Sequence, residues 1–314
     1  MFYYITFSKK KNNLIKYISI LSIILITFRA IINIRKIENI KVCLCTIGKQ
    51  ENLYVREYVS YYKNYNLDKI FIYDNNEING EKFEDVIGDY ISSGFVEIIN
   101  IRGKLSQQIK VYQQCLDNNK NKFDWIIFYD MDEYLYLKKP KNIKYYLAKK
   151  VFNKCEAIQL NMFFHTDNNQ LYYKNETLAK RFTERRVTKI GFLKTILRGN
   201  VKTRIYCPHE LNRNLNSCDG FGNLNLKFKG IIKTYKPDFK YYYIDHFSYK
   251  STEEFIKKVM KGSAIKGKNI EMKYRKISWY FDDNKLTKEK VDLIENITNF
   301  NLSKYREKLK KINY

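Results

Sequence analysis

KVCLCTIGKQENLYVREYVSYYKNYNLDKIFIYD, residues Lys41–Asp74, is the stretch whose reading decides the fold. IKVCLCTI, Ile40–Ile47, is an unbroken apolar run of the length of a buried strand. In ENLYVREYVSYYKNY the apolar residues Leu53, Val55, Tyr58, Val59 and Tyr62 recur with a helical rhythm. KIFIYD is a second strand, ending at Asp74. Outward from this unit the pattern repeats: FEDVIGDYI reads as a helix, GFVEIINI as a strand, LSQQIKVYQQCL as a helix and FDWIIFYD as a fourth strand. Alternation at such short intervals over Lys41–Lys150 predicts an α/β domain with a mostly parallel sheet and helices on its faces. The second half is less regular. AIQLNMFF and YYYIDHF read as strands, and STEEFIKKVMKGSAI opens with Ser251 and Glu254 spaced as a capping box. Two basic helical patterns, near Lys288–Ile294 and Leu302–Ile312, close the chain.

With 314 residues, 45% of them hydrophobic, the chain has ample core, and 3 Pro and 12 Gly exclude collagen-like or linker-rich architecture. The net charge of +25 is inflated by an Asn/Lys/Ile/Tyr bias spread over the whole chain, yet a basic surface still favours phosphate-bearing partners. The six cysteines show no disulfide-framework spacing, so buried, reduced thiols are expected. A zinc site on Cys207, His209 and Cys218 would lack a paired C-x-x-C knuckle. YISILSIILITF, Tyr17–Phe28, is too short to cross a bilayer, but snorkelling of Lys16 and Arg29 stretches it to Leu14–Ile34, about 20 residues. Residues 1–36 are therefore expected to be a membrane anchor.

WIIFYDMDEYLYL, Trp125–Leu137, runs an apolar strand straight into Asp130, Met131, Asp132 and Glu133. In an open α/β sheet the ligand sits at the carboxyl ends of the strands, and two Asp spaced i, i+2 there can share one hard cation whose other sites go to phosphates. A solvated acidic loop is the plain alternative. A P-loop reading fails on GSAIKGKN, Gly262–Asn269, where Asn269 replaces the magnesium-binding Ser or Thr and a helix, not a strand, precedes the loop. A haloacid-dehalogenase-like reading needs Thr or Val where Tyr134 stands, on the first strand and not the fourth.

Several segments resemble glycosyltransferase family 92 and its family-2-like relatives of GT-A type. TIGKQENLYVREYVSYYKNYNLDKIFIYDNNE resembles the opening of that group, and QIKVYQQCLDNNKNKFDWIIFYDMDEYL its metal block. IQLNMFFHTDN, LAKRFTER, KTILRGNV, CPHEL and IDHFSYKSTEEFIKKVMKG are similar to its later blocks, in the same order. The resemblance spans Lys41–Gly267 and implies a single GT-A (Rossmann-like) catalytic domain over 37–267, with an N-terminal hydrophobic helix before it and a basic helical extension, 268–314, after it. Gln50, Val111 and Asp245 depart from the usual Asn, Ala and Asn, and FFHTDN departs from W-x-x-F-G.

The resemblance implies a metal-dependent, inverting transfer of a hexosyl group from a nucleotide-sugar donor, UDP-sugar first, to a glycan hydroxyl. Asp130, Asp132 and His246 are then the expected ligands of Mn²⁺ or Mg²⁺. Thr46, Lys49, Glu51, Asp74 and Asp130 are expected at the donor, and Lys194, Arg198 and His209 at the diphosphate or acceptor. Asp167 is the expected base, with Glu133 and Asp245 as rivals. The alternatives are a membrane-anchored basic protein that binds nucleic acid or another polyanion, and an inactive glycosyltransferase-like chain. No nucleic-acid motif is present, so nucleic acid is not the expected partner. A single-pass anchor implies a Golgi-type location in a eukaryote and the inner membrane in a bacterium.

Overall fold

A computed structural model describes residues 2–186, 193–207, 209, 215–228, 231–233, 238–261 and 270–312, with side chains from residue 20 onward except 226–228, 231–233, 270–272 and 312. The chain divides into two compact units, Met1–Lys41 and Val42–Tyr314. The first is one helix, α1 (Phe2–Glu38), whose apolar side chains Ile20 to Ile34 are exposed. Among the described residues no helix is long and apolar enough to cross a membrane. The transmembrane span expected over Leu14–Ile34 is thus not found there, and the side chains of 14–19 lie outside the described set.

The second unit opens with the predicted alternation: β1 (Val42–Gly48), α2 (Asn52–Asn64), β2 (Lys69–Asp74), α3 (Glu84–Ser92), β3 (Val96–Asn100), α4 (Gln108–Asn119) and β4 (Trp125–Phe128). Next come β5 (Glu133–Leu137), α5 (Ile143–Leu147), β6 (Ala157–His165), α6 (Leu178–Arg181), β7 (Arg185–Arg186), β8 (Leu193–Arg198) and β9 (Ser217–Cys218). A small hairpin, β10 (Leu226–Phe228) with β11 (Ile231–Lys233), precedes β12 (Tyr242–His246). Four helices follow: α7 (Thr252–Lys261), α8 (Ile270–Asp283), α9 (Lys288–Thr298) and α10 (Ser303–Ile312).

The main sheet runs β3-β2-β1-β4-β8-β6-β12-β5, and its first four strands are mutually parallel. β8 runs antiparallel between β4 and β6, β12 is parallel to β6, and β5 closes the path antiparallel to β12. Neither β5 nor β8 was expected: β5 follows the acidic turn with no break in the sequence, and β8 lies in the less regular second half. The sheet curls: Tyr61 and Tyr62 of α2, a helix flanking β1, donate to the carbonyls of Leu135 and Glu133 on the far-edge strand.

One face of the sheet packs Cys43, Cys45, Phe71, Ile126 and Phe128 against Val111, Tyr112 and Leu116 of α4. The capping box forms as read, with Ser251 Oγ and its backbone N–H both donating to Glu254. The end expected for that helix, Gly262–Ile265, lies outside the described residues, as does GSAIKGKN. Of the stretch 268–314, the described residues 270–312 belong to the same unit as the sheet, since Ile277, Tyr280, Val291 and Ile294 share a core with Phe255, Ile256 and Val259 of α7.

The reduced-thiol expectation is corrected. Cys45 is joined to Cys115, and Cys155 to Cys218, leaving Cys43 and Cys207 free. Partners 70 and 63 residues apart carry no sequence signature; only the sheet brings them together. Cys218 is thereby removed from the zinc reading.

Candidate active site

The acidic run becomes a turn at the carboxyl end of β4, closed by the Glu133 N–H on the Asp130 carbonyl (3.1 Å). β12 pairs His246 with Glu133, and the Phe247 N–H donates to the Asp132 carbonyl (2.9 Å). This register sets the His246 ring beside the turn. One ligand atom each from Asp132, Glu133 and His246 lie within 4.8 Å of one another. On the other side, β8 pairs Thr195 with Phe128, so the preceding residue, Lys194, reaches the acidic turn.

Lys194 is fully buried, and its ammonium lies 2.9 Å from Asp130 and 3.0 Å from Glu133. Asp130 also accepts from Gln108 (2.6 Å) and Tyr112 (2.7 Å) of α4. Burial, and the neighbouring Asp132, push its carboxyl up, but Lys194 and the Tyr112 hydroxyl outweigh them and hold it below its ordinary value. For Glu133 burial wins: its carboxyl is pushed up to about 7 even with Lys194 beside it. Asp132 is held well down, because Lys258 (2.5 Å) and His246 (3.5 Å) outweigh the cost of burial. Among the described residues, the groups whose ligand atoms converge closely enough for one ion are Asp132, Glu133 and His246. Asp130, a ligand expected from the sequence, is not in that group; like Glu133 it is paired with Lys194, and it also accepts from Gln108 and Tyr112.

The expected donor residues share this edge, since β1 and β2 align Gly48 with Asp74. Thr46 is buried in β1, Lys49 pairs with Glu77 (2.8 Å), and Asp74 is buried against Arg102. Glu51 lies between Lys250 (3.0 Å) and Lys261 (2.8 Å); burial pushes its carboxyl up, and the two lysines bring it down to about 2. His209 stands near the cluster, where burial and then Lys194 lower its pKa to about 4.

Three expected residues are not brought to the cluster. Arg198 pairs with Trp125 at the opposite end of β4, stacks on that indole (4.3 Å) and donates to the carbonyls of Cys155 and Phe152. Asp167 is buried against Lys290 (2.6 Å), with Tyr280 donating to it. Asp245 alternates with His246 along β12, pointing to the other sheet face, where it meets His165 (2.7 Å) and Arg185 (3.2 Å). Of the three candidate bases, Glu133 is the one in the cluster. Sequence reasoning missed Gln108, Tyr112, Lys250, Lys258 and Lys261. Gln108 and Tyr112 stood in the quoted QIKVY run, whereas nothing in STEEFIKKVMKGSAI singles out Lys258 or Lys261 from its other lysine, Lys257.

A glycosyltransferase family 92 model matches residues 38–312. A family 92 protein of Ricinus communis is 24% identical over 104 residues, 33% of this chain and 18% of that protein. One of Oryza sativa subsp. japonica is 27% identical over 94 residues, 30% and 16% of the two chains. The matched stretch is thus about a fifth of these relatives' length. Among solved structures, S. aureus TarS 1-349 in complex with UDP-GlcNAc is similar at 12% identity and a TM-score of 0.39, covering 82% of this chain and 79% of that one. A mannosyltransferase from Pyrobaculum calidifontis in complex with GDP-Man and Mn²⁺ is similar at 8% identity and a TM-score of 0.29, covering 39% and 36%. With a match that runs from the first strand through the last helix and takes in the acidic turn, the chain belongs to glycosyltransferase family 92.

Proposed function

We propose that the protein transfers a glycosyl group, with inversion, from a nucleoside-diphosphate sugar to a glycan hydroxyl, and that the reaction depends on a divalent cation. The observation that carries this reading is the convergence of Asp132, Glu133 and His246 at the carboxyl edge of a parallel sheet. The donor set fits Mn²⁺ or Mg²⁺: it holds two carboxylates and an imidazole. Two of its buried atoms, Glu133 Oε1 and His246 Nδ1, have no partner among the described residues. The ion, when bound, neutralises charge on the departing diphosphate. In the transfer the acceptor hydroxyl gives its proton to a general base, for which Glu133 is the candidate in the cluster. The hydroxyl oxygen bonds to the anomeric carbon, the bond from that carbon to the diphosphate breaks, and that bond's electron pair leaves with the nucleoside diphosphate. The chain's own part is positioning. Lys194 keeps Asp130 ionised, α4 orients that carboxylate through Gln108 and Tyr112, and β12 fixes His246.

The polyanion-binding reading is less favoured, because the lysines of this region are engaged by carboxylates and do not form an open stripe. We also propose that α1 attaches the protein to a membrane through its exposed apolar side chains. A panel of UDP-, GDP- and CMP-sugars tests the enzymatic reading. Hydrolysis or transfer of one donor, stopped by EDTA, is expected. Turnover of none of them, or turnover indifferent to EDTA, contradicts it.

A further inference from the structure

Asp132 already has a cation. Lys258 of α7 places its ammonium 2.5 Å from Asp132 Oδ2 and donates to the Ser248 carbonyl at 3.0 Å. The other carboxylate oxygen, Oδ1, faces His246. A divalent ion held by Asp132 and His246 would stand next to that ammonium inside a buried site, where like charges repel strongly. Lys258 must then move. Its flexible four-carbon stem lets it do so, and its charge has to find a new anion within reach.

The structure offers a place, in which one further carboxylate, Glu81, accepts from the Asn52 N–H at 3.0 Å. Lys258 lines a cleft of about 360 Å³ together with Glu51, Tyr54, Tyr249, Lys250 and Lys261. Glu51 is already shared by Lys250 and Lys261. Lys250 also lies over the Tyr54 ring at 3.7 Å, and Lys257 is paired with Glu253 at 2.7 Å. Glu254, which also lines the cleft, is engaged by Arg181 at 2.6 Å. Once Lys258 leaves Asp132, three ammonium groups face two carboxylates, Glu51 and the more exposed Glu81, so one positive charge is left over. The field is felt nearby: burial first, then Lys258 and Lys261, bring Lys276 down to about 8. A cleft with excess positive charge beside a carboxylate-bound dication suits one class of ligand, a phosphate chain spanning both.

We infer that Lys258 is an exchangeable counter-ion: it neutralises Asp132 in the empty site and, on metal binding, transfers to the diphosphate of the bound nucleotide. The inference rests on the metal and donor reading above. It assigns Lys258 as a residue that binds the leaving group, and the cleft formed with Lys250 and Lys261 as the diphosphate subsite. It also gives metal and nucleotide a reason to bind in concert, because each relieves the charge imbalance that the other creates.

The test is Lys258→Met in the full chain, with Mn²⁺ and UDP affinities measured separately by calorimetry. Mn²⁺ alone should bind the variant more tightly, by about tenfold, the scale of one charge-assisted hydrogen bond, because its competitor is gone. UDP at saturating Mn²⁺ should bind more weakly, by about the same factor. Lys258→Arg keeps a cation and should stay close to wild type on both counts, which separates lost charge from lost fold. Lys257→Met, a charge removed from the same helix, should leave Mn²⁺ binding unchanged. A purely structural Lys258 would lower the melting temperature without tightening Mn²⁺ binding, and that result overturns the inference. Equal Mn²⁺ affinity in wild type and Lys258→Met, or unchanged UDP affinity, overturns it while the metal site stands. Absence of Mn²⁺ binding in both proteins overturns the metal site and the inference together.

Discussion

Replacing Lys194 with Met should destabilise the protein in a way that depends on pH. The two side chains have similar volume, so no large cavity is made. What is lost is a fully buried ammonium bridging Asp130 at 2.9 Å and Glu133 at 3.0 Å. Breaking a buried ion pair from one side costs about 3–5 kcal/mol, because the remaining charge is stranded. Asp130 keeps Gln108 and Tyr112 and is 29% exposed, so most of the cost falls on Glu133. With a pKa pushed up to about 7, Glu133 keeps a proton in the folded protein that the unfolded chain releases near its ordinary value of 4.5. A raised pKa means that stability is lost as pH climbs through this window. Lys194 is the main restraint on that loss in the wild type, and in Lys194→Met only the weaker influence of His246 is left. Urea unfolding at pH 8 should therefore show a penalty of about 3–5 kcal/mol, smaller at pH 5 by up to about 1.4 kcal/mol, the linkage of one proton over the one pH unit between 7 and 8. In thermal melts at pH 8 the shift should be about 6–20 °C for a unit of this size. A penalty under about 1 kcal/mol at pH 8, or one identical at both pH values, refutes the assigned role.

Glu133→Gln should weaken Mn²⁺ binding while folding is retained, as calorimetry and circular dichroism can show; intact Mn²⁺ binding with lost transfer would instead make Glu133 the proton acceptor. Thiol titration of the unfolded, unreduced chain should count two free thiols, Cys43 and Cys207, and six after reduction. Cys155→Ser opens a loop of 63 residues and should cost about 2–4 kcal/mol in urea unfolding, whereas no loss would place that pair outside the folded core. Removing Met1–Lys36 should leave a folded protein that no longer floats with anionic vesicles; an unfolded product would show that α1 is needed by the sheet domain.

Legibility followed the range of the interactions. The β1–α2–β2–α3–β3–α4–β4 succession was visible because strands buried on both faces read as short apolar runs and the helices between them carry a helical apolar rhythm, both of which are local patterns. The acidic turn was visible for the same reason: three carboxylates at the end of Trp125–Phe128 have no packing role that would put them there. The assembly of the site was not. Lys194 meets Asp130 only because β8 inserts antiparallel beside β4, and His246 meets Glu133 only through the β12–β5 register. Arg198 and Asp167 were misplaced by the same blindness. Arg198 is four residues from Lys194, which on a strand puts it at the other end of the sheet, and the partner of Asp167 is more than a hundred residues away in α9. The disulfides joined distant elements in the same way.

The central claim is that the turn at Asp130–Glu133 holds a divalent cation against a nucleotide diphosphate. The most direct measurement is UDP binding by calorimetry with and without Mn²⁺, on the wild type and on Asp132→Asn. The account predicts that Mn²⁺ raises UDP affinity in the wild type by at least about tenfold, and that Asp132→Asn abolishes this gain while near-ultraviolet circular dichroism shows an intact fold. Wild-type and Asp132→Asn proteins that bind UDP with the same affinity, and with the same response to Mn²⁺, would contradict it.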